Sequence, residues 1–299
     1  MSFIYRFITF LTIFALITYL LVGVLEYGLD WYKNSDISVL HEIRSNKNYD
    51  LLLMGTSHAR MFGVSGHKKD VQAILDKKIL SIANNGSGIL PQKLYLELFY
   101  ENHNNADTII YFIDPWVFYS KDWNESNYYI TDEVYRFDYL KKLIANRFSM
   151  GVIKEYLHKK LSYKLFIYPI RRKLVFDESI SDSDYNALEE FKKERLKLWY
   201  PQGTSSKTFR KYSNYLEEII KLSRKHNSKV IFVLPPTLLG ELPGQQEVGM
   251  YMKEIANKYG ISFYDFSSAV NNRALYLNAD HLNIKGVIYF SEKFLVPIL

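Results

Sequence analysis

Residues 49–60 read Tyr-Asp-Leu-Leu-Leu-Met-Gly-Thr-Ser-His-Ala-Arg. Tyr49 to Met54 is a short, nearly continuous apolar run, the pattern of a strand buried on both faces of a sheet. Gly55 then opens a strand-to-helix turn that carries Ser57. A serine so placed shows its oxygen at the sheet edge, where the N–H groups of a following helix also point. Working outward, Lys78–Ala83, Asp107–Ile113, Lys229–Leu234 and Ile261–Phe266 are four more apolar runs of strand length. Helical spacing marks Pro91–Tyr100, Lys207–Lys225, Gln245–Tyr259 and Ile284–Leu295. The alternation predicts an α/β fold over residues 49–299: a flavodoxin-like, doubly wound, five-stranded parallel sheet with helices on both faces. Residues 116–206 are aromatic, strongly charged and too long for an ordinary loop, so they predict a helical insertion or cap.

The N-terminal end reads differently. Phe7 to Leu25 is nineteen residues without a charge, bracketed by Arg6 and Glu26. As a helix it spans roughly 28 Å, about the thickness of a bilayer core. Tyr5, Tyr27, Trp31 and Tyr32 sit where interfacial aromatics anchor a span. No small-residue cleavage pattern follows it, and a buried soluble helix is rarely apolar on every face. Residues 1–25 are therefore expected to be a transmembrane anchor and 26–48 a helical neck. Arg6 and the terminal amine on one side, with Glu26 and Asp30 on the other, favour a cytoplasmic N-terminus and an outward-facing domain.

Composition bounds the chemistry. The chain has 299 residues, 48% of them hydrophobic, which excludes a disordered protein. With no cysteine, disulfides, thiolate metal sites and cysteine nucleophiles are excluded. The net charge of +6 is modest, and no basic stripe of the nucleic-acid type stands out. Neither does a cluster of metal ligands.

Three short elements follow predicted strands. They are Gly55-Thr56-Ser57-His58-Ala59-Arg60, Ala83-Asn84-Asn85-Gly86-Ser87-Gly88, and Asn278-Ala279-Asp280-His281-Leu282-Asn283. Each has an ordinary reading: a helix N-cap serine, a plain turn, a surface histidine. Together they make a kit for acyl transfer. His281 takes the proton of Ser57, the serine attacks a carbonyl, and N–H groups hold the oxyanion. Gly55 and Gly86 let the backbone come close to a ligand, and Asn84 lies beside them. His41, His67, His103, His158 and His226 read as surface residues. His58 is left open because it adjoins Ser57.

In that order and on those elements, the motifs resemble the SGNH/GDSL hydrolase superfamily. More narrowly they resemble its membrane-anchored extracytoplasmic branch, which includes proteins of alginate and peptidoglycan O-acetylation and of D-alanyl transfer to teichoic acid. The resemblance covers roughly residues 48–115 and 207–299. It implies Ser57 as nucleophile, His281 as base, and the N–H groups of Ser57 and Gly86 in the oxyanion hole, with no cofactor. It implies an O-acyltransferase or acylesterase acting on a cell-surface polysaccharide, with a multi-spanning membrane-bound O-acyltransferase as partner. A lipid esterase and a scaffold that has lost its chemistry are the alternatives. Two departures bear on it. Asp114-Pro115-Trp116 stands where the family has an oxyanion-hole asparagine, and Asn278 stands three residues before His281, where it has the catalytic aspartate. Either Asn278 supports the imidazole, or Asp280 does so from an unusual position, or the site is degenerate.

Overall fold

The computed structural model describes residues 3–32, 38–43, 45–130, 133–161 and 178–299. A long apolar helix comes first, α1 (Phe3–Tyr32). Its stretch Phe3–Leu21 is long and apolar enough to cross a membrane, and none of it is buried against the rest of the protein. A single turn, α2 (Val39–Glu42), leads into the sheet. The expected neck at 26–48 falls partly on residues outside the described ones.

The sheet is built from β1 (Asn48–Met54), β2 (Ile79–Ser81), β3 (Asn105–Phe112), β4 (Lys229–Leu234) and β5 (Ser262–Asp265). All neighbours are parallel, in the order β2-β1-β3-β4-β5. This is the doubly wound topology expected from the five apolar runs, and the strand bounds differ from those runs by a residue or two. Leu51–Met54, Ile109–Phe112 and Ile231–Val233 are buried on both faces. Each such side chain contributes about 1.5–3 kcal/mol of transfer free energy.

Helices α3 (Ser57–Arg60), α4 (Ser65–Leu75) and α5 (Ile89–Glu101) link the first three strands. Between β3 and β4 lie α6 (Lys121–Glu125), α7 (Phe137–Ala145), α8 (Met150–Leu161), α9 (Asp182–Asn186), α10 (Leu188–Trp199) and α11 (Ser206–Lys225). Helices α12 (Gln245–Tyr259) and α13 (Ile284–Phe290) complete the layer. Helix α5 packs on α11 and α4 on α13, with helices on both faces of the sheet. The closing helix is shorter than its spacing predicts. It widens into a π-turn over Ser291–Leu295 and ends at Pro297, which has no N–H to continue it.

One histidine also departs from its sequence reading. His67 is buried, because its Nδ1 meets the Met61 carbonyl at 2.7 Å and so has a partner away from water.

The register fixes the site. Met54 pairs with Tyr111 and Leu53 with Ser81, so the carboxyl ends of β1, β2 and β3 lie side by side. Residues 55–58, 82–87 and 113–116 therefore meet at one edge, where ligands bind in sheets of this kind.

Candidate active site

Gly55 forms the turn that lifts Ser57 out of the sheet. Its φ of +138° is open to glycine but strained for other residues. A Cβ there would lie 2.5 Å from the Phe112 carbonyl oxygen. The next residue, Thr56, caps α3: its hydroxyl accepts from the His58 N–H at 3.4 Å and donates to Asp114 Oδ2 at 2.6 Å. Ser57 is thus the first residue of the helix and not its cap, and its hydroxyl is free for another partner.

That partner is His281. Its Nε2 lies 2.7 Å from Ser57 Oγ, although 224 positions separate the two residues. The other ring nitrogen, Nδ1, lies 2.9 Å from Asp280 Oδ1 and 3.1 Å from Asn278 Oδ1. Both residues left open by the sequence therefore converge on the same nitrogen. Side chains of adjacent residues usually diverge, and the turn explains why these do not. Asn278 Oδ1 accepts the N–H groups of Asp280 (3.1 Å) and His281 (2.8 Å), which folds the loop back on its own side chain. Asn278 shapes the loop, and Asp280 brings the full negative charge to the imidazole.

Asp280 is buried, with 1% of its surface exposed. Burial alone would raise the carboxyl's proton affinity. The charges of His281, His58 and Arg195 outweigh it, and hold the group well below the usual carboxylate range. Arg195 Nε stands 3.3 Å from Asp280 Oδ2, as an ion pair without hydrogen-bond alignment. It comes from α10 in the insertion, where Phe191, Arg195 and Trp199 share one helix face. The guanidinium lies over the Phe191 ring at 4.7 Å and the Trp199 ring at 5.9 Å. The i, i+4, i+8 spacing of these three was visible in the sequence, but the surrounding lysines and glutamates read as a solvated surface.

Asp114 answers the other departure. It pairs with His58 Nδ1 at 2.6 Å while also holding Thr56. The His58 and His281 rings are 4.7 Å apart, centre to centre. His58, Asp280 and His281 each bring a ring nitrogen or carboxylate oxygen to within 4.8 Å of one another.

The second strand-end loop supplies the other wall. Gly86 has a φ of +66°, and a Cβ there would meet the Trp123 ring at 2.9 Å and Tyr128 at 3.2 Å. Neither the Ser57 N–H nor the Gly86 N–H makes a backbone hydrogen bond among the described residues. Trp116 stacks on Trp199 at 5.7 Å and leans on Trp123 at 5.0 Å, so three of the four tryptophans line this end of the sheet. The Asn84 side chain is engaged by residues other than the serine. It is 1% exposed, its amide nitrogen donates to Glu133 Oε1 at 2.7 Å, and its oxygen accepts from Arg60 Nη1 at 3.2 Å.

No family model matches the chain, and no curated protein matches it in sequence. Among solved structures it is similar to one described as "a putative arylesterase from Agrobacterium tumefaciens str. C58". The identity is 12% and the TM-score 0.37, over 85% of this chain and 98% of that one.

Proposed function

We propose that this chain is a serine esterase or O-acyltransferase working through an acyl-enzyme on Ser57. The observation that carries the reading is the unbroken line from Asp280 through His281 to Ser57, at 2.9 Å and 2.7 Å. His281 Nε2 accepts the Ser57 proton as Oγ bonds to the acyl carbon. The imidazolium then gives that proton to the leaving oxygen as its bond to carbon breaks. The N–H groups of Ser57 and Gly86 serve as oxyanion donors. Water at the acyl-enzyme completes hydrolysis, and a sugar hydroxyl completes transfer.

The finer reading follows the sequence resemblance to SGNH hydrolases of the cell envelope. The substrate class is an O-acylated, most simply O-acetylated, surface polysaccharide. Trp123 and the exposed Tyr128, backed by the buried Trp116 and Trp199, support a small acyl group and a ring-shaped acceptor, because accessible aromatic faces stack on sugar rings. The apolar helix α1 supports a membrane-anchored protein with its α/β layer outside the cytoplasm, handed acyl groups by a multi-spanning acyltransferase.

A fluorophosphonate probe tests the chemistry on the detergent-solubilised full chain. Covalent labelling is expected in the wild type, none in Ser57→Ala, and a loss of at least about 10³-fold in rate in His281→Ala. A folded wild-type protein that is never labelled overturns the reading. Release of acetate from acetylated polysaccharide, set against release of fatty acid from phospholipid, tests the substrate class.

A further inference from the structure

The mechanism above leaves one buried imidazole of the site unused. His58 follows the nucleophile directly, yet it faces away from solvent and pairs with its own carboxylate, Asp114. Its Nδ1 is thereby committed. Its Nε2 is buried without a hydrogen-bond partner, and so is Asp280 Oδ2. The Asp114 carboxylate lies 2.6 Å from that Nδ1 inside the protein, and Asp280 belongs to the same small cluster.

We propose that both ring nitrogens of His58 are protonated, on the strength of its buried pair with Asp114. His58 is an imidazolium held between Asp114 and Asp280, and acts as a positioning residue for the Ser57–His281 pair. The inference rests on the serine-enzyme reading only for its catalytic consequence; the charge state of His58 is a separate claim.

The groups facing His58 decide the charge. Asp114 comes from the end of β3, and Asp280 and His281 from the loop before α13. Arg195 and the edge of Trp199 come from α10, and Thr56 and Ser57 from its own turn. Burial works against a charged imidazole, and so does Arg195. Asp114 and Asp280 outweigh them, and His58 titrates above its ordinary value. With His58 charged, the cluster holds two carboxylates against two cations, His58 and Arg195. A dication bound here instead would face the Arg195 guanidinium.

The consequence falls on His281. A cation whose ring centre is 4.7 Å away opposes a second positive charge on that imidazole. That repulsion favours the proton-accepting form of the ring that the serine mechanism uses. Once His281 has the serine proton, the same repulsion makes it a better donor to the leaving oxygen.

The test measures three things on the full chain in detergent. The first is the pH dependence of fluorophosphonate labelling in wild type, His58→Gln and Asp114→Asn. Loss of the cation is expected to move the acid limb of the rate upward in pH, in the same direction in both variants. A fall that is uniform at all pH values would mean a structural role and overturn the proposal. The second is nitrogen NMR of the histidine rings in wild type and in Ser57→Ala, read near pH 7. It should show both ring nitrogens of His58 protonated. A neutral His58 in a labelled protein overturns the charge clamp and leaves the serine enzyme standing. A charged His58 in an unlabelled protein does the reverse. Zinc alone is the third probe: stoichiometric Zn²⁺ binding that is lost in His58→Gln would make the cluster a metal site and overturn the proton assignment.

Discussion

Two buried carboxylates, Asp280 and Glu133, lie in the same domain and have opposite fates. Asp280 sits among charges: His281, His58 and Arg195 hold its proton affinity down in spite of burial. Glu133 sits among neutral donors. It accepts from Ser38 Oγ at 2.7 Å, the Leu40 N–H at 2.9 Å, Asn84 Nδ2 at 2.7 Å and Tyr95 OH at 2.9 Å. Burial raises its proton affinity, and those hydrogen bonds only partly offset it. The difference teaches that burial does not set a carboxyl's role; the charge of its neighbours does. Cations make Asp280 a fixed negative charge beside the His281 imidazole. Dipoles make Glu133 a hub that ties chain segments together.

The comparison breaks most visibly in activity. Asp280→Asn should cut the fluorophosphonate labelling rate by about 10³- to 10⁴-fold with unchanged circular dichroism, as the same change does in a serine-protease triad. Glu133→Gln should leave that rate within about threefold. Labelling of Asp280→Asn at the wild-type rate would mean that Asn278 alone supports the imidazole.

Stability should rank the two residues the other way. Glu133→Ala removes an acceptor from five buried donors, the Val39 N–H among them, and is expected to cost about 3–5 kcal/mol in urea unfolding.

The pH dependence of stability has opposite signs at the two sites. The carboxyl of Asp280 binds its proton less tightly folded than unfolded. Its contribution is present above the ordinary carboxylate range and is lost as pH falls through its lower folded value. Glu133 binds its proton more tightly when folded, so its contribution is lost as pH rises from the ordinary range through its higher folded value. Unfolding free energies from pH 3 to 8 should therefore change slope in opposite directions in Asp280→Asn and Glu133→Gln.

The smallest effect is expected at Gly86. Ala there combines a left-handed backbone with a Cβ 2.9 Å from Trp123, for about 1–2 kcal/mol of stability and a drop of up to about tenfold in labelling. An unchanged labelling rate would separate Gly86 from the oxyanion donors.

The sheet and the pair Ser57–His281 were legible because both are written in local pattern. Apolar runs of strand length need no partner to be recognised, and a residue just after such a run has only one edge to occupy. Asp280 was harder to read, because only the turn closed by Asn278 Oδ1 swings neighbouring side chains to one side. Asp114 and His58 are 56 positions apart, and nothing in their spacing links them. The pairing of Met54 with Tyr111 does, once β1 and β3 are known to be neighbours. Arg195 was hidden for a different reason. It is one charge among many in a lysine- and glutamate-rich helix, and only contact with Asp280 sets it apart from the others.

The fastening of Ser38 and Leu40 to Glu133 has a mechanical consequence. These are the first described residues after α1, and the carboxyl that grips them also grips Asn84, which in turn holds Arg60. A pull arriving along the chain from α1 meets this clamp before it reaches β1. The load is shared with α5 through Tyr95, and through Asn84 and Arg60 it reaches the short helix that carries Ser57.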